Sequence, residues 1–155
     1  GKSSIYYYFA SKEEIFQAVV EKEALILRQE LINALKDADS PAQKLKAHVL
    51  VRMRSMEKLA NFYSAIKDEY LSHLDFIDQI RKKYDQEEIQ MMENILKEGV
   101  QNDIFEIDDT SLAAIAIVTA LKGIEIPLFW GMEEKDIERR LDHLIHILFN
   151  GVLKR

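Results

Sequence analysis

The sequence predicts an all-α protein, and three observations carry that prediction. Only 5 glycines and 2 prolines punctuate 155 residues. No segment alternates apolar and polar residues as a half-buried strand does, and apolar residues recur at three- and four-residue spacing nearly from end to end. A chain of this length buries roughly 70% of its unfolded surface, enough for a stable core without a disulfide or metal. At 48% apolar and 31% charged residues, it has the composition of a folded protein rather than a disordered one. It contains no cysteine, which excludes disulfides, thiolate metal sites and a cysteine nucleophile and fits a reducing cytosol.

The elements follow in order. A short helix is expected over Lys2 to Tyr8. Ser11, with Glu14 three residues on, forms a capping box, in which the hydroxyl and the carboxylate each satisfy an end N–H of the chain. The helix it opens runs to Lys36, with Phe16, Val19, Leu27, Leu31 and Leu35 near one face. Ser40-Pro41 is a second start signal, a cap followed by proline at the first helical position. That helix aligns Leu45, Val49, Met53 and Met56. A shorter helix is expected around Phe62, Tyr63, Ile66 and Tyr70. A long one follows from Phe76 to Gln101, with Ile77, Ile80, Tyr84, Met91 and Ile95 aligned, and Asn102 to Ile107 form a connection.

Asp108-Asp109 cap a helix from Thr110 to about Phe129, which Pro127 bends or ends. The last helix, from Glu134 to Val152, turns Ile137, Leu141, Leu144, Ile145, Leu148 and Phe149 to one side. It turns Glu138, Arg139, Arg140 and Asp142 away. The helix that begins at Thr110 is apolar nearly all round, as a helix buried on two sides is. Ala113, Ala116, Ala120 and Gly123 make one of its faces a row of small residues that lets another backbone approach. A second subunit would cover that face, and so would the core of a monomer.

Several function classes are excluded. The net charge of −6 argues against nucleic-acid binding by the whole surface, and the basic tail Leu153-Lys154-Arg155 is too small to be a patch. The longest apolar run, Leu112 to Ile124, contains Lys122 and is too short to span a bilayer. No signal peptide opens the sequence. There is no phosphate-binding glycine loop, no His-Glu-x-x-His and no strand-turn-helix to present a serine, so catalysis is not expected. His143 and His146 stand one turn apart beside Asp142, but His143 opposes the apolar face and no carboxylate completes a ligand set, so no metal or other cofactor is expected. His48, between Leu45 and Val49, reads as a partly buried histidine.

The most specific signal lies at the front. Gly1-Lys2-Ser3-Ser4-Ile5-Tyr6-Tyr7-Tyr8-Phe9-Ala10-Ser11-Lys12-Glu13-Glu14-Ile15-Phe16 resembles the end of the helix-turn-helix of tetracycline-repressor (TetR) family regulators. That pattern has a lysine or small residue, Gly/Ser, Thr/Ser, an aliphatic residue, three aromatic or His positions and Phe. A two-residue turn and Ser/Asn-Lys-Glu follow. By this resemblance, residues 1–10 are the remnant of a DNA-binding domain and residues 11–155 form the ligand-binding and dimerising domain. Lys2, Ser3, Ser4, Tyr6 and Tyr7 then sit on a recognition helix in the major groove, and Lys12 anchors a phosphate at the next helix N-terminus. The family has two further helices before this point, which the sequence does not contain, so operator DNA is a partner expected of the longer protein.

The resemblance also implies a homodimer in which the last two helices make a four-helix bundle. Ala113, Ala116, Ala120, Gly123, Leu141, Leu144, Ile145 and Leu148 are the interface candidates. It implies a small-molecule effector bound among the long helices, at a pocket drawn from Met53, Met56, Phe62, Tyr63, Tyr70, Tyr84, Met91, Met92 and Trp130. Methionines and aromatics suit an adaptable cavity, and equally an ordinary core. Glu88, three before Met91 and four after Tyr84, is placed to read a polar group of the ligand or to lie on a rim. With few fixed charges facing inward, an apolar or amphipathic effector is expected. The function implied is a cytoplasmic, DNA-binding repressor released by its effector; the alternative is a helical ligand-binding or scaffold module without DNA binding.

Overall fold

In the computed structural model, residues 12–63, 73–123 and 134–154 are described. Among them are five helices and no strand. They are α1 (Lys12–Lys36), α2 (Pro41–Tyr63), α3 (Leu74–Gln101), α4 (Thr110–Gly123) and α5 (Glu134–Asn150). The expected helix at Lys2 to Tyr8 and the Ser11 cap lie outside the described residues. Phe62 and Tyr63 belong to the end of α2 rather than to a separate helix. The span Pro41–Tyr63 has no glycine or internal proline to interrupt it, so nothing local stops the helix there.

The helix ends follow from named residues. Ser40 Oγ accepts the Gln43 N–H at 3.2 Å, and Gln43 Oε1 reaches back to the Asp39 N–H at 2.9 Å. Proline at the next position needs no partner for its nitrogen. Asp109 Oδ1 accepts the Leu112 N–H at 3.0 Å and starts α4. At the end of α3, Ile104 N–H bonds Gly99 O (2.8 Å) and Asp103 N–H bonds Val100 O (3.1 Å), with Asp103 at φ 59°. This is a Schellman turn with aspartate in the left-handed position that glycine usually takes. The turn folds Phe105 back over Gly99, where a Cβ would lie 2.0 Å from the ring. Gly151, at φ 69°, ends α5 at Asn150, two residues before the expected stop.

α3 is the hub. It packs against α1, α2 and α4, and α1 packs on α2. One core cluster joins Leu45 of α2, Met92, Ile95 and Leu96 of α3, and Ala114 and Val118 of α4. A second joins Val49 and Met53 of α2, Leu121 of α4, and Leu141 and Ile145 of α5. Fully burying one such side chain contributes roughly 1.5–3 kcal/mol. Ion pairs tie α3 to each neighbour: Arg28–Glu87 to α1 (3.3 Å), Lys44–Glu98 to α2 (2.7 Å), and Lys122 of α4 to both Asp85 and Asp78 (3.6 Å to Asp78).

Candidate functional site

Where α1, α2 and α3 meet they leave a cleft of about 30 Å³, room for one or two water molecules. One wall is apolar, formed by Ala24, Leu27 and Leu31 of α1 with Met91 of α3. The rest is charged: Arg28 from α1, Arg52 from α2, and Arg81, Asp85, Glu87 and Glu88 from α3, with Tyr84 among them. Each of the three helices delivers one arginine.

The inner end of the cleft is a buried polar network. Glu88 is 6% exposed, Arg52 1%, His48 0% and Arg81 9%. Glu88 Oε1 lies 3.1 Å from His48 Nε2 and 3.2 Å from Arg52 Nε. Burial by itself would raise the Glu88 carboxyl above its ordinary 4.5. The Arg52 charge, then the His48 hydrogen bond and charge, then Arg81 outweigh burial and hold it lower, so Glu88 is ionised at neutral pH. An ionised carboxylate only accepts, so His48 Nε2 donates. Its Nδ1 is buried without a hydrogen-bond partner among the described residues.

This geometry corrects the expectation that few fixed charges face inward. Arg52 is three residues after Val49 and four after His48, and Arg81 is four after Ile77 and seven before Glu88. Both sit on apolar stripes. For Arg52 the opposite charge, Glu88, comes from the neighbouring α3, which no single-helix pattern displays.

Of the pocket candidates, Tyr84, Glu88 and Met91 line the cleft. Met53 is instead packed with Leu121 and Leu141, and Met92 is fully buried beside Leu45 and Val118. Met91 and Met92, one residue apart on a helix, point about 100° apart and serve different layers. Tyr70 and Trp130 lie outside the described residues, as do the side chains of Met56, Phe62 and Tyr63. So do Lys2, Ser3, Ser4, Tyr6 and Tyr7 and the side chain of Lys12.

The outer face of α4 is the second candidate surface. Ala114, Val118 and Leu121 point inward, while Leu112 is 64% and Ile115 43% exposed, with Ala116, Ala120 and Gly123 also exposed and Ala113 half-buried. On α5, Leu144 and Leu148 pack at the edge of the core, and Ile147 and Phe149 are exposed. Leu141, at 1% exposure, is buried in the chain's own core, and Ile145, at 8%, nearly so. Both face Val49 and Met53 of α2 and Leu121 of α4. His143 and His146 are exposed, and no group of three metal-ligating side chains occurs among the described residues.

Solved structures share this architecture. A Clostridium perfringens protein described as a fatty acid metabolism regulator matches at 25% identity and TM-score 0.72, covering 100% of this chain and 84% of its own. A TetR/AcrR-family regulator from Thermobifida fusca matches at 17% identity and TM-score 0.71, over 99% of this chain and 81% of that one. The TetR-family regulator PfmR of Thermus thermophilus matches at 22% and 0.73, over 99% and 84%. No curated protein sequence matches the chain. The fold is thus that of a helical transcriptional regulator. The chain belongs to the TetR family, matching the model of the QacR-like protein, C-terminal region, over residues 44–154. Its role is transcriptional regulation, not catalysis.

Proposed function

We propose that the chain is the effector-binding and dimerising body of a homodimeric transcriptional repressor, whose reading heads release operator DNA when a small molecule enters the α1–α3 cleft. The observation that carries this is the uncovered apolar face of α4. Leu112 and Ile115 stand in solvent beside the small residues Ala116 and Ala120, on a helix whose other side is core. A contiguous apolar face with small residues is what a second helix pair packs against. The partner surface comprises this face with Ala113 and Gly123 at its edges, together with Ile147, Phe149 and the flanks of Leu144 and Leu148 on α5. Lys2, Ser3, Ser4, Tyr6, Tyr7 and Lys12 retain their role as DNA contacts, set about 34–36 Å from their two-fold copies.

The effector acts only through the difference in its affinity for the two spacings of the heads. The charged cleft supports an amphipathic effector over a purely apolar one. Because the chain has no cysteine, the interface is open to a direct test. Single cysteines at Ala116 and at Ala120 are expected to cross-link between subunits through a short bismaleimide. One at exposed Gln90 on α3 is the control. Cross-linking at Gln90 alone, or equally at all three, contradicts the α4 interface.

A further inference from the structure

We propose that the cleft reads an acidic head group: the effector is an amphipathic anion whose carboxylate lodges among Arg28, Arg52 and Arg81, its apolar body lying along Leu27, Leu31 and Met91. This rests on the effector reading of the cleft given above and names the chemical class it takes.

The first argument is convergence. α1, α2 and α3 each place one guanidinium at the same small cleft, two of them nearly inaccessible to solvent and Arg28 half-exposed at its mouth. The second is the state of the acidic groups. Glu88 is taken up by His48 and Arg52, Glu87 pairs with Arg28, and Asp85 pairs with Lys122, a cation from α4 that is not part of the lining. The lining carboxylates are thus committed, and a cationic head would have to displace an existing partner while facing three arginines. An anionic head shares guanidiniums that already hold these carboxylates, which is possible because a guanidinium carries five N–H donors in a planar fork and serves several acceptors at once.

The third argument is the local potential. A carboxyl as deeply buried as Glu88 rises in pKa unless cationic neighbours prevail, and here they prevail. A second anion enters the field of the same guanidiniums. The fourth is size. Room for one or two waters matches a carboxylate, not a ring, so the cleft as it stands takes a head and leaves the body to the apolar wall.

Three probes with one ten-carbon chain separate the classes: decanoate, decanol and decyltrimethylammonium, each titrated calorimetrically below its micelle concentration into the full chain. Decanoate is expected to bind at least tenfold tighter than decanol, and decyltrimethylammonium most weakly. Arg81→Met is expected to bring decanoate down to the level of decanol while leaving decanol unchanged. Arg28→Met, altering a half-exposed side chain, is expected to reduce decanoate binding severalfold with the fold intact, so the result does not depend on one variant. Tightest binding of decanol or of the ammonium probe overturns the anionic class and leaves the cleft standing as the effector site. A preference for decanoate that survives in both variants means the acid is read elsewhere and overturns the proposal. Saturable binding of none of the three overturns both the class and the effector reading.

Discussion

The cleft between α1, α2 and α3 and the outer face of α4 break the same rule in opposite directions. In the first, Arg52, Arg81, His48 and Glu88 are buried; in the second, Leu112 and Ile115 are exposed. Charged side chains are almost never fully buried unless paired, and contiguous apolar faces are seldom left in water. Burying the network costs desolvation that well-packed apolar residues would avoid. The α4 face gives up burial that Leu112 and Ile115 would otherwise contribute. A sequence selected for stability alone would exchange the two. On the reading proposed above, what each region gives up in stability is what lets it receive something from outside, a ligand in one case and a second subunit in the other.

Substitutions in the two regions therefore differ in kind. The largest effect is expected from Arg52→Met. It leaves Glu88 buried without the cation that stabilises it most and costs about 3–5 kcal/mol in urea unfolding. A double change of Arg52→Met with Glu88→Leu recovers most of that loss if pairing, rather than packing, is what holds the layer.

The same layer has a signature in acid. Because the folded-state carboxyl of Glu88 lies below its ordinary 4.5, its contribution is fully present above that value and is lost as pH falls through the lower folded value. Stability measured between about pH 5 and about pH 3 should fall more steeply in the wild-type chain than in Glu88→Gln. Equal slopes would mean that Glu88 is not an ionised partner of Arg52.

Lys122 links the two regions, since it stands on α4 and pairs with Asp85 at the cleft and with Asp78. Lys122→Met is expected to cost about 1 kcal/mol, a loss that shrinks as salt is added. Smallest of all is Leu112→Ser. At concentrations too low for association, it should change unfolding by no more than about 0.5 kcal/mol, and any larger loss should appear only as concentration rises.

Much of this was legible from residue spacing. The Ser40-Pro41 and Asp109 starts, the length of α3 and the inward Leu45, Val49, Met53 and Ile77 all follow from local rules that operate within one helix. The all-round apolar character of α4 was legible too, although only the fold shows which side its own core takes. The cleft was half legible. Tyr84, Glu88 and Met91, which line it, stand at helical spacing that the sequence displays. Arg52 was missed because an ion pair between helices leaves no mark on either one. Leu141 and Ile145 looked available to a partner, because periodicity tells which residues share a face and not which neighbour that face meets.

The account's central claim is that the uncovered face of α4 is a subunit interface, and light scattering on the eluting chain tests it most directly. The wild-type chain should elute at twice its monomer mass, and Ala116→Glu with Ala120→Glu should elute as a monomer of unchanged helicity, since both residues are exposed in the single chain. A wild-type monomer, or a dimer that survives both glutamates, would contradict it.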